Sequence, residues 1–195
     1  MKKLMVILLA GCALVISQGF RKVAADDDGT PLRKLAGTYV ETGQGSYFAC
    51  FEPKPPFPLA KCGSTGSIGV PISALAVGAA TFDAAGNFCV TFTETDTDLP
   101  VDVSPPNVYV VHQTAKLTSY DPTTGTGDGS LTNYFGGKCK GSTFDSAGAT
   151  VANTGTFHFA VSNNGKRIDA VVTSIVITPV GAIGGFSVSA TLLRE

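Results

Sequence analysis

Tryptophan is absent from this chain, and histidine occurs only twice, at His112 and His158. No Cys-x-x-Cys pair is present to join them, so no zinc-ligand spacing is spelled. There is no Gly-x-Ser-x-Gly elbow of the kind that presents a nucleophilic serine. No asparagine is followed two residues later by Ser or Thr, which leaves N-glycosylation without an acceptor. Charge is scarce, at 15% of residues, and so few Lys and Arg argue against nucleic acid and anionic membrane surfaces as partners. No apolar run reaches the roughly 20 residues that a spanning helix needs. A helical period of 3.6 is missing as well.

The longest apolar run, Leu4–Ile16, follows Met1-Lys2-Lys3 and precedes small residues and the acidic run Asp26-Asp27-Asp28. Positive start, apolar middle and small-residue end form the anatomy of a secretory signal peptide, placed at residues 1–25. Val23-x-Ala25 and Ser17-x-Gly19 compete as cleavage sites. Leu9-Ala10-Gly11-Cys12 also resembles a bacterial lipobox, in which Cys12 would carry a lipid anchor. Export from a bacterial cell, to the periplasm or beyond, is the expectation. The signal takes four of the 14 basic side chains and none of the 15 acidic ones, leaving 10 against 15 and a mature net charge of −5. No spanning segment is expected in the mature chain.

What remains is rich in glycine, with 23 in the whole chain, and in Thr, Ser and Val, an all-β composition. Residues 26–35 are expected to form a polar tether and residues 36–195 a single domain. The repeated grammar is strand, turn, strand. Gly78–Asp98 shows it best, because strand-forming arms flank Asp83-Ala84-Ala85-Gly86-Asn87. Val108–Tyr120 alternates over a long strand, and Asn163-Asn164-Gly165 marks a tight turn before Arg167–Thr178. Gly43–Gly45 is expected to turn the chain, and Gly63–Ser73 to be a surface loop. Eight or nine strands at this spacing indicate an antiparallel up-and-down β-barrel of about eight strands, whose closure removes edges that few charges protect.

Four cysteines follow the signal, and an even number in an exported chain suggests two disulfides with three possible connectivities. Cys50–Cys62 is the preferred pair, since it would close the stiff Pro-rich segment Phe51–Pro58. Cys89 and Cys139 pair by default.

Three pieces carry a resemblance: Gly78–Asn87 (GAATFDAAGN), Lys116–Gly127 (KLTSYDPTTGTG) and Phe159–Ile168 (FAVSNNGKRI). In the same order they resemble turn motifs of a family of small exported bacterial proteins of uncharacterised role. Its members look like antiparallel barrels of the calycin or allene oxide cyclase kind. The resemblance implies such a barrel over most of residues 36–195, with the Cys50–Cys62 segment as an insertion.

Alternation puts Tyr39, Phe82, Phe88, Phe92, Tyr109, Phe157, Phe159 and Phe186 on inward faces. They are candidates to line an apolar cavity, although a barrel of about eight strands can instead fill with side chains, and a filled core is the expectation. Glu94, Asp96 and Asp98 lack the glycine and distal glutamate of a calcium loop, so no metal and no cofactor is expected. These carboxylates take positions that continue the Phe88–Phe92 face. The strand must therefore bulge, leave the barrel, or make the interior polar. Both histidines fall on the face opposite the aromatics, and nothing joins Ser119, Asp121 and His158, so no catalytic residue is assigned. Three functions stay open: a non-enzymatic barrel binding a small apolar ligand or an envelope partner, a cyclase- or isomerase-like barrel enzyme, and a surface-interaction module carried by the Pro-rich loop.

Overall fold

The computed structural model describes residues 31–97 and 108–195. The signal peptide, Cys12, Asp98 and the connector expected at Asp102–Asn107 lie outside the described residues. Ten strands follow in order: β1 (Gly37–Phe51), β2 (Ile68–Phe82), β3 (Asn87–Thr97), β4 (Val108–Asp121), β5 (Thr126–Phe135), β6 (Lys138–Lys140), β7 (Thr143–Asp145), β8 (Thr150–Ser162), β9 (Arg167–Ile177) and β10 (Ile183–Arg194). Eight of them close a barrel in the cyclic order β1-β10-β9-β8-β5-β4-β3-β2, every neighbour antiparallel. The strands β6 and β7 form a separate small hairpin. No described helix is long and apolar enough to cross a membrane.

The barrel has two unlike ends. At one end the core is solid. Phe82 stacks on Phe88 at 4.2 Å, and Tyr39 tilts against Phe82 at 5.1 Å. Leu117, Phe159, Ile168 and Leu192 fill the space around them. The expected tether is in part a plug here. Leu32–Leu35 forms a short 3-10 turn, with Leu32 and Leu35 buried in this core. Two leucines at that spacing gain more by burial than polar neighbours gain by staying free.

The Tyr39 hydroxyl, itself fully buried, lies 2.9 Å from the Leu35 carbonyl and 2.7 Å from that of Gly165. It thereby ties the plug to the turn between β8 and β9. Asn163 and Asn164 adopt the left-handed conformation there, and Gly165 has φ +84° with no room for a Cβ beside the Lys34 carbonyl, 2.9 Å away.

Two expectations fail in an instructive way. Gly43–Gly45 does not turn. β1 runs straight through it for 15 residues, paired with β2 from Gly37↔Phe82 to Phe51↔Ile68. Ile68–Ser73, expected in a loop, is the opening of β2. Pairing on both sides of β1 outweighs the low strand propensity of glycine.

Both disulfides form. Cys50 joins Cys62, and Cys89 joins Cys139. The second pins the β6–β7 hairpin to the outer face of β3. On the chain-entropy account, bridges closing 12 and 50 residues stabilise by about 3 and about 4 kcal/mol.

The Tyr39 hydroxyl gives a direct check of the plug. Tyr39→Phe removes the one donor that the Leu35 and Gly165 carbonyls share and should cost about 1–3 kcal/mol in urea unfolding. An unchanged unfolding midpoint would show that the tie contributes nothing.

Candidate functional site

Toward the other end the interior is hollow. A cavity of about 620 Å³ opens among all eight barrel strands. Missing side chains make the room. Gly43 and Gly45 of β1, Ala74 and Ala76 of β2, Ala170 of β9 and Ala190 of β10 all border it. Gly43 lies opposite Ala76, and Gly45 opposite Ala74. The residues that looked like a turn thus hold a cavity wall back. Apolar walls come from Phe88 and Phe92 of β3, Phe157 of β8, Val172 of β9 and Phe186 of β10.

Of the eight aromatic candidates, Phe88, Phe92, Tyr109, Phe157 and Phe186 border this cavity, whereas Tyr39, Phe82 and Phe159 belong to the filled end and do not. A wholly filled interior is therefore corrected to a half-filled one. The Pro-rich segment folds back over the mouth. Leu59 bridges to Phe51, and Phe57, Pro58 and Leu59 border the opening. Its base is held by Cys50–Cys62 and by backbone bonds from Cys50 and Cys62 to the carbonyls of Ala182 and Gly181.

One wall is polar. β3 pairs with β2 and β4 without a register shift, so the face carrying Phe88 and Phe92 continues inward as Glu94 and Asp96. The strand neither bulges nor leaves, and the interior takes the charge. The Tyr47 hydroxyl donates to Asp96 Oδ2 at 2.9 Å. The Tyr109 hydroxyl reaches the same oxygen and also Glu94 Oε1, at 3.1 Å. One phenolic proton cannot serve two carboxylates, so one of these oxygens must be met by a carboxyl that holds a proton of its own.

Glu94 suits that role, because burial first and the neighbouring Asp96 charge second push its carboxyl up to about 7. Burial alone pushes Glu41 up to about 7. Burial, with the nearby carboxylates adding to it, raises the Tyr47 and Tyr109 phenols well above their ordinary value. Three buried oxygens of cavity-lining residues have no hydrogen-bond partner: Glu41 Oε2, Asp96 Oδ1 and Asn133 Oδ1. Glu41 is 7% exposed and Asp96 4%.

Glu41, Tyr47 and Asn133 were not singled out in the sequence. Tyr47 lies 49 residues from the carboxylate it meets, and the two meet across β2, which pairs with β1 on one edge and β3 on the other. Glu41 could have been found, since it stands two residues beyond inward-facing Tyr39.

Both histidines sit on the outer face. His112 Nδ1 is 3.0 Å from Thr91 Oγ1, beside the Phe144 ring of β7. His158 meets Asp128. Ser119 bonds Asp128 rather than His158, and the Asp121 carboxylate receives Thr123 N–H. No histidine is placed on that hydroxyl, and a serine triad does not assemble. Among the described residues no group of three or more His, Cys, Asp or Glu side chains has the geometry to hold a metal ion.

The raised Glu41 carboxyl makes stability pH-dependent. In the unfolded chain it ionises near its ordinary value, and in the fold only near 7. The folded state holds more protons between those values, so its stability is highest below the lower one and falls as pH rises through about 7. Glu41 alone should account for a loss on the order of 3 kcal/mol between about pH 4 and pH 8. Glu41→Gln should remove that share in urea titrations at the two pH values. An unchanged slope would place the titration elsewhere.

In comparisons with known proteins no family model matches the chain and no curated protein does, so the site is read from its own geometry.

Proposed function

We propose that this barrel binds a small, largely apolar ligand inside its open half. The observation that carries the reading is the 620 Å³ cavity, walled by phenylalanines and emptied by glycine and alanine. Pockets of this size and lining hold most of a small ligand's surface. The eight-stranded barrel is a frame that accommodates one such molecule.

A second reading has a specific observation in its favour. Glu94, pushed up to about 7, stands beside Asp96 on the cavity wall with Tyr47 and Tyr109 in attendance. A carboxyl that keeps its proton near neutrality is a general acid, and a neighbouring carboxylate is a base. That pairing fits a cyclase- or isomerase-like proton transfer. It accords with the resemblance to allene oxide cyclase-like barrels, which is an analogy of fold and not of activity.

Export belongs to the same proposal. Two disulfides endure in an oxidising compartment, and residues 1–25 have the pattern of a signal peptide. Mass spectrometry of the chain from a bacterial host should find it beginning at Asp26, at Phe20, or at a lipid-bearing Cys12. An intact Met1 would overturn export by either route.

The cavity is tested with N-phenyl-1-naphthylamine, a neutral dye that brightens in apolar surroundings. Saturable binding at one site is expected, and Ala76→Phe, which fills the cavity, should abolish it while the thermal midpoint holds. Binding untouched by Ala76→Phe would put the dye elsewhere. A natural ligand recovered unchanged supports the binding reading. Its conversion to an isomer, lost in Glu94→Gln, would favour the enzyme.

A further inference from the structure

We propose that the ligand of this cavity is an organic cation, an apolar and preferably ring-bearing body ending in a protonated amine. The inference rests on the cavity being a ligand site, and adds the chemistry of the head group.

The first support is the sign of the wall. The titratable groups bordering the cavity are Glu41 and Tyr47 from β1, Glu94 and Asp96 from β3, and Tyr109 from β4. β2, β5, β8, β9 and β10 contribute none, and no Lys, Arg or His lies among the described lining residues. The charged groups of β9, Arg167 and Asp169, pair with each other on the outside. A cavity able to carry up to three negative charges and no positive one repels a carboxylate or phosphate head.

The second support is the kind of bond that is missing. The unpartnered buried oxygens of Asp96 and Asn133 are acceptors, and Glu41 Oε2 becomes one when its carboxyl ionises. Each unmade bond of this sort costs about 1–3 kcal/mol. The Tyr47 and Tyr109 hydroxyls are already spent on Asp96 and Glu94. The occupant must therefore bring donors, and an ammonium brings three with no acceptor of its own. An alcohol brings one and leaves the charge uncompensated.

The third support is the aromatic rim of the polar wall. Tyr109 packs edge-on to Phe135 at 5.5 Å, and Phe92 precedes Glu94 on the same face of β3. Ring faces beside carboxylates attract a desolvated cation twice over. A cation bound here would also draw the protons off Glu41 and Glu94. Affinity should therefore rise with pH through about 7, the value to which both carboxyls are raised.

Three probes with one apolar body separate the possibilities: 1-naphthylmethylamine, 1-naphthylmethanol and 1-naphthoate. They are titrated calorimetrically into the mature, disulfide-bonded protein. At about pH 8 the amine should bind about ten-fold tighter than the alcohol, with naphthoate weakest. Near pH 6, where the amine is still protonated, its advantage should shrink several-fold while the alcohol holds steady, because the carboxyls then resist ionising. Glu41→Gln and Asp96→Asn should each cut the amine's advantage and spare the alcohol. The wild-type pH comparison stands without either variant. Equal binding of amine and alcohol at about pH 8, tighter binding of naphthoate, or displacement of the amine by millimolar calcium would overturn the cation and leave the apolar-ligand reading intact. Failure of all three probes to bind would sink both.

Discussion

Everything inside this barrel depends on β3 keeping its register on both edges. It pairs with β2 from Phe82↔Phe88 to Ser73↔Thr97, and with β4 from Asn87↔Lys116 to Thr95↔Val108, without a slip. A slip of one residue would turn every side chain to the other face. Because none occurs, the rule that buries Phe88 and Phe92 also turns Glu94 inward, half-buried, and buries Asp96. Cys89 is turned outward by the same rule, where Cys139 meets it and holds the β6–β7 hairpin against the wall. One strand thus fixes an aromatic interior, an acidic interior and an external clamp.

The two halves of the barrel are built differently. In the closed half, stacked rings and the leucine plug supply burial, with the Tyr39 hydroxyl bonding across the seam. In the open half, carboxyls are held away from water with acceptors unmet, at a cost to folding. Such costs are tolerated where a ligand can offset them. The Pro-rich segment, fastened by Cys50–Cys62, borders the mouth of that half.

Legibility in the sequence followed the range of the interactions. Turns were plain, because Asp83–Asn87 and Asn163–Gly165 state their own geometry locally. The strand faces were equally plain, since alternation is a local property. Gly43 and Gly45 misled for the same reason. Taken alone, a glycine pair looks like a turn, and only two flanking strands keep it extended. The acidic run could be narrowed to three outcomes but not to one, because the deciding fact is whether β2 and β4 both pair along it. The Tyr47–Asp96–Tyr109 cluster was illegible, as it exists only once residues far apart in the chain share one cylinder. Leu32 and Leu35 were lost among polar neighbours, which disguised the plug.

The glycine and alanine lining has a consequence for how such a protein can diversify. At Gly43 an added methyl would find ordinary contacts, 3.4 Å from the Ala76 Cβ, on an unstrained backbone. At Gly45 the Val188 side chain would have to give slightly. Substitutions among Gly, Ala and Ser along these strands can thus resize the chamber one methyl at a time, with no backbone hydrogen bond at stake. Related chains sharing every turn of this barrel could differ in what they carry through those few positions alone.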